Sequence, residues 1–219
     1  MAAPRCPIVA SVGGDRYADA QRQRLLEGLA TSICEKGLVE TSLSDIVRNA
    51  RASKRTFYKH FPDKDSCFVA LAQALRRDVR RRVYEVIDPE DDWETQVSTT
   101  IDAFLAILAA NPAMTFTLAS AALGPSVVRA QQQAMNEYAL MVQRIAGSES
   151  FRRAGIEPIS FTRAYMLVSG LGQTITRAVE RGESFLELAP EFKSVFGAVL
   201  VASPVAAPAG AAATSAREP

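Results

Sequence analysis

Apolar residues recur three and four positions apart through nearly every long segment of this chain, and no run alternates strictly enough to give a strand with a hairpin partner. An all-α fold follows. Residues 17 to 36 set Leu25, Leu26, Leu29 and Ile33 on one face, and Gly37 stands where a left-handed cap would close the helix. A second, short helix starts after Ser42, whose hydroxyl can cap it while Asp45 reaches back to the cap residue. Ile46, Val47 and Ala50 then face inward. Arg51-Ala52 makes a tight turn to Ser53, the expected cap of a third helix that carries Phe57 and Phe61 one turn apart and stops at Pro62. Asp63 is placed to cap a much longer fourth helix with Phe68, Leu71, Leu75 and Val79 inside, running to about Ile87.

The acidic segment Asp88-Pro89-Glu90-Asp91-Asp92 breaks that pattern and is read as a domain boundary. Beyond it, helices are expected from about Trp93 to Ala110, Pro112 to Leu123, Pro125 to Ala146, Pro158 to Arg181 and Ser184 to Ala202. Asn111-Pro112, Gly124-Pro125, Gly147 and Gly182 supply the stops, and Ser184 with Glu187 has the spacing of a further capping box. The count is about nine helices. Residues 1–16 and the Ala/Pro/Gly-rich residues 203–219 bury too little apolar surface to order themselves and are expected to be disordered.

Composition narrows the function classes. With 219 residues, 48% of them hydrophobic and 22% charged, the chain can bury one large core or two small ones. No stretch approaches the roughly 20 apolar residues of a membrane span, and the first fifteen lack the continuous apolar core of a secretory signal, so a cytoplasmic protein with no membrane partner is expected. Cys6, Cys34 and Cys67 are odd in number and have no CxxC spacing, which disfavours a disulfide framework or a zinc site and leaves them as small buried hydrophobes. No metal and no cofactor is expected. The net charge of +1 hides a polarity: residues 16–87 hold fifteen Lys/Arg against nine Asp/Glu, residues 88–219 nine against fourteen. An anionic partner would meet the front of the molecule.

Thr41 to Cys67, TSLSDIVRNARASKRTFYKHFPDKDSC, is the informative stretch. Two helices of about eight residues joined by a tight turn, the second bearing basic and aromatic side chains, form the pattern of a helix-turn-helix. Burying Phe57 and Phe61 turns Lys54, Arg55, Tyr58 and Lys59 outward as a ridge that fits a DNA major groove. Ser53, Thr56 and Tyr58 offer hydroxyls to phosphates, and the helix N-terminus adds its N–H groups.

This stretch resembles the tetracycline-repressor family of one-component regulators. The resemblance rests on Thr41-Ser42-Leu43-Ser44-Asp45-Ile46, on Ser53-Lys54-Arg55-Thr56-Phe57-Tyr58-Lys59-His60-Phe61, and on Pro62-Asp63-Lys64-Asp65 before an apolar helix, about fifty residues in all. It implies DNA contacts, largely through phosphates, from Thr56, Tyr58, His60 and Lys64, base reading by Lys54 and Arg55, and a DNA-facing position for Thr41, Ser42, Ser53 and Lys59. Arg51 departs from the glycine usual in the family's turn, and a non-glycine residue at positive φ there costs roughly 1 kcal/mol.

The implied organisation is a helix-turn-helix domain at 17–62, a connecting fourth helix at 63–87, and a helical effector-binding and dimerisation domain at 88–202. Two stripes suit a homodimer through the last two helices: Phe161, Ala164, Tyr165, Val168, Gly172, Ile175 and Val179 on one, Phe192, Val195, Phe196, Val199 and Leu200 on the other. Gly170 and Gly172 would permit close approach, and Gly170-Leu171-Gly172 lacks the third glycine and preceding strand of a dinucleotide site. In this family such a helix pair meets its symmetry mate in a four-helix bundle, which would set two reading heads on a palindromic operator in double-stranded DNA.

Phe104, Met114, Phe116, Met135, Tyr138, Met141, Tyr165 and Met166 are candidates for lining the site of a small apolar effector, plain core being the alternative for each. Arg76, Arg77, Arg80, Arg81 and Arg82 look like a nucleic-acid patch, but Asp78 and Glu85 favour an ion-paired, solvated face. His60 is the sole histidine, so a His-based metal cluster is impossible and a capping or structural role stands beside phosphate contact. The reading is a non-enzymatic, ligand-responsive transcriptional repressor. A helical ligand-binding protein or enzyme without DNA binding, and a DNA-binding protein with no effector, are the alternatives.

Overall fold

A computed structural model describes residues 17–120 and 125–202 of the chain. Ten α-helices and one short 3₁₀ turn make up the described residues, with no strand among them. The expected disordered arms at 1–16 and 203–219, and the end of the sixth helix at Leu123, lie outside the described residues.

The first three helices, α1 (Tyr17–Glu40), α2 (Leu43–Asn49) and α3 (Lys54–His60), enclose one core with the first half of α4 (Lys64–Val86). Leu25, Leu29, Ile33, Ile46, Phe57 and Phe61 meet Cys67, Phe68, Leu71 and Leu75 there, all essentially without solvent contact. Each large side chain so buried contributes roughly 1.5–3 kcal/mol. The cap chemistry sets the helix starts. Ser42 and Asp45 form the reciprocal capping box, the Ser53 hydroxyl accepts from Thr56 N–H at 3.0 Å, and Asp63 accepts from Ser66 N–H at 2.7 Å. Gly37 interrupts α1 where the sequence places its stop: its φ of 78° and ψ of 166° are non-helical, a conformation open to a residue without a Cβ, and the turn that runs on to Glu40 is a separate helical piece across that kink.

A second core surrounds the remaining helices, α5 (Trp93–Ala109), α6 (Pro112–Ser120), α7 (Pro125–Ala146), α8 (Glu149–Arg153), α9 (Phe161–Glu180) and α10 (Ala189–Val201). The helix α4 runs through both cores, supplying Leu75 to the first and Val79 and Val83 to the second. Between α4 and α5 the acidic segment is not loose: buried Gln96 donates its amide to the carbonyls of Asp88 and Asp91, each at 3.1 Å, and accepts from the Ser148 hydroxyl. Two expectations are corrected. Phe151, fully buried against the Trp93 ring, anchors α8 in a stretch where no helix is expected from the sequence. Ser184 makes no side-chain cap bond, because Phe185–Leu188 forms a 3₁₀ turn and α10 begins only at Ala189, with Pro190 in its first turn.

A basic ridge on a short helix and a cavity beside the connecting helix

The turn between α2 and α3 is a Schellman arrangement, in which Arg51 N–H bonds to Arg48 O at 3.1 Å and Ala52 N–H to Val47 O at 2.9 Å. Arg51 is the non-glycine residue with positive φ, 50°, among the described residues. The turn thus keeps the left-handed geometry that the sequence makes expensive. Behind it, Gly28 lets α1 and α2 touch: a Cβ built on Gly28 would lie 2.6 Å from the Ile46 carbonyl oxygen and 2.7 Å from Ala50 N.

On this frame α3 buries Phe57 and presents Lys54, Arg55, Tyr58 and Lys59 to solvent, with Tyr58 59% exposed. Among the described residues Lys54, Arg55 and Lys59 enter no ion pair. Their charge is therefore available to an anion. Ser42 and Ser53 are exposed, and Thr56 and His60 half-buried at the flanks of the ridge. Two other expected residues sit differently. Thr41 is buried, its hydroxyl donating to Gly37 O at 2.6 Å. The Lys64 ammonium donates to Leu38 O at 3.0 Å and Thr41 O at 2.9 Å, tying α4 to the loop before α2. Asp45 completes the frame: the Lys36 ammonium 2.5 Å away, followed by the Ser42 hydroxyl and N–H, holds its carboxyl far below the usual carboxylate range. Arg22 lies over the Phe61 ring, 5.2 Å from its centroid.

The cysteines divide. Burial pushes the Cys67 thiol up to about 12, as suits an inert core residue, whereas Cys34 is exposed and accepts from the Asn111 amide at 3.4 Å. Cys6 lies outside the described residues. No group of three or more His, Cys, Asp or Glu is placed to hold a metal ion among the described residues, and no described helix is long and apolar enough to cross a membrane.

A cavity of about 140 Å³ opens where α4 passes α5, α6, α7 and α9. Phe104, Met135 and Tyr138 line it, together with Phe68 and Ala72 of α4 and Leu171 and Ile175 of α9. The Phe104 and Tyr138 rings meet edge to face, 5.5 Å apart. Desolvation pushes the Tyr138 phenol up to about 12. Met114 instead fills the first core, because α6 packs on α1, and Tyr165 stacks on Phe161 away from the cavity. The side chain of Phe116 lies outside the described residues.

Arg76 also borders this cavity, which the arginine count alone did not reveal. The signal was available: Phe68, Ala72 and Arg76 fall on one i, i+4 row of α4. Of the others, Arg81 pairs with Asp78 and Glu85 and Arg82 with Asp78, as read, while Arg80 reaches Glu137 of α7. The stripes assigned to dimer contact are also reapportioned. Ala164, Val168 and Ile175 of α9 and Phe192, Phe196 and Leu200 of α10 pack within their own chain. The face left open carries Met166, Gly170, Thr174 and Val195, with Met166 68% exposed.

Residues 25–71 match the family described as bacterial regulatory proteins, tetR family. Over 87 residues the chain is 30% identical to the uncharacterized HTH-type transcriptional regulator YvdT of Bacillus subtilis, covering 40% of this chain and 45% of that protein. Over 104 residues it is 24% identical to the nucleoid occlusion factor SlmA of Vibrio cholerae, covering 47% and 53%. The chain thus spans about half the length of these curated relatives. The transcriptional regulator FadR of Bacillus subtilis, solved in complex with stearoyl-CoA, shares the fold with a TM-score of 0.65 at 16% identity, over 79% of this chain and 96% of that one.

Proposed function

We propose that the chain, whose residues 25–71 match the tetR family, is a repressor that grips a palindromic operator as a homodimer and lets go when a small apolar molecule enters the cavity beside α4. The observation that carries the reading is the unpaired, exposed row of Lys54, Arg55, Tyr58 and Lys59 on a helix pinned from behind by Phe57 and Phe61. In a major groove, Lys54 and Arg55 read base edges, while Ser42, Ser53, Thr56, Tyr58, Lys59 and His60 meet phosphates. Thr41 and Lys64 serve by fixing the loop that precedes α2, with the remaining Lys64 proton left for a phosphate. The open α9–α10 face around Met166, Gly170 and Val195 is the surface that a second copy would cover, placing two α3 helices about 34 Å apart.

Ligand control has a mechanical route. The helix α4 is unbroken from Lys64, bonded to the head, to the cavity wall at Ala72, so displacement at the cavity moves the frame of α3. Fluorescence anisotropy of a selected operator at several salt concentrations tests the DNA half. For Lys59→Ala the slope of log affinity against log salt falls by about 1, and for Arg55→Ala discrimination drops at one base position. Unchanged salt slopes in both variants would remove α3 from the DNA.

A further inference from the structure

The cavity beside α4 is the first of three spaces in a row. A void of about 40 Å³ adjoins it, and Phe104, Tyr138, Val168 and Leu171 line both. A third, of about 30 Å³, shares Thr100, Ile101, Val142 and Phe196 with the second and no wall residue with the first. The walls advance in step along two antiparallel helices. On α5 they pass from Leu108 and Phe104 to Ile101 and then to Val97, while on α7 they pass from Met135 and Tyr138 to Val142 and then to Ile145. The row therefore follows the α5–α7 seam, and from Met135 to Ile145 it runs roughly 15 Å, the reach of a chain of about ten to twelve carbons.

Shape and polarity change along the row. The first space, at about 140 Å³, is close to the roughly 150 Å³ that takes a benzene ring, whereas the other two exceed only the roughly 10–15 Å³ of one water-sized group. They admit a methylene chain and exclude a ring. Half-buried Phe104, Met135 and Tyr138 stand at the first space, while fully buried Phe151 closes the third. Past Tyr138, Thr100 is the one polar residue on the walls among the described residues, so the far end suits hydrocarbon. We propose that the cavity binds an unbranched aliphatic chain, its head group in the first space and its methyl end threaded past the Phe104 and Tyr138 rings toward Phe151. This names the shape of the effector and rests on the cavity being the effector site. The chain supplies contacts that the walls of the two narrow voids otherwise lack, and flexible Met135 and Met141 can adjust to it.

The test is calorimetric titration of the full chain with the neutral probes 1-butanol to 1-dodecanol, with operator release read beside it. In wild type each added methylene tightens binding about threefold to fourfold, and the gain continues past six carbons to about ten. Branched 3,7-dimethyl-1-octanol, with the same ten carbons as 1-decanol, binds at least about fivefold more weakly, because its methyl groups overfill the narrow voids. Val142→Phe, which fills the second and third spaces, ends the gain at about six carbons. Should that variant fail to fold, the wild-type length profile and the 1-decanol ratio decide alone. A gain that stops at six carbons in wild type, or equal binding of the two ten-carbon alcohols, overturns the chain assignment and leaves a single-lobed effector cavity. Tight chain binding without operator release upholds the chain site and overturns its role as effector site. Binding of no alcohol overturns both.

Discussion

Gly28 and Ile46 meet so closely that a methyl group on the first would stand 2.6 Å from the carbonyl oxygen of the second. The contact fixes how α1 and α2 cross, and hence where α3 points. Because the obstructing atoms belong to backbone, they cannot turn aside as a side chain would. Gly28→Ala is expected to lower stability by about 1–3 kcal/mol, the usual cost of overpacking, and to weaken DNA binding beyond the loss of folded protein. Urea denaturation alongside operator titration checks both.

Arg51 occupies a left-handed position at φ 50° in the turn of the reading head. Replacing it by glycine removes a penalty of roughly 1 kcal/mol and adds back part of that as unfolded-state entropy, so Arg51→Gly is expected to gain about 0.5 kcal/mol. Thermal melting measures it. A loss would mean that the Arg51 side chain supports the turn through contacts that offset its strain.

Asp45 links the Lys36 ammonium to the α2 cap. Its carboxyl titrates below the unfolded value near 3.8, so the stability it supplies is present in full above that value and is lost as pH falls through the folded one. The melting temperature of wild type should therefore exceed that of Asp45→Asn at pH 6, with the gap closing as pH drops below 4. High salt narrows the gap too, since Lys36 is 38% exposed. A gap independent of pH would assign the effect to the amide's geometry and not to charge.

Lys64 is bonded to the Leu38 carbonyl in the last turn of α1 and to the Thr41 carbonyl in the loop before α2. Lys64→Ala is expected to cost stability as well as affinity, by about 1–2 kcal/mol, because the Leu38 and Thr41 carbonyls lose a charged donor. A melting curve unchanged by the substitution would return Lys64 to the surface as a phosphate contact alone.

The head of the molecule could be read before its structure because its signals are local. Ser42 with Asp45, Ser53 and Asp63 each cap within three residues, and Phe57 with Phe61 defines an inside and an outside over a single turn. Features set by distant partners escaped. Gly28 looks unremarkable until Ile46 and Ala50 arrive beside it, and Arg76 looks like one of five similar arginines until α7 and α9 close over it. The stripe on α9 was visible but its partner was not, since Ala164, Val168 and Ile175 suit a neighbouring helix of either chain. Ser184 failed for the opposite reason, a local cap pattern overridden by the packing of Phe185 into the second core.

The most direct test of the central claim is selection of binding sites from random double-stranded DNA by the full chain. The account predicts a two-fold symmetric consensus whose half-sites are spaced by about one helical turn, lost when Lys54, Arg55 and Lys59 are all replaced by alanine. Failure to enrich any sequence, or enrichment that survives the triple substitution, would contradict it.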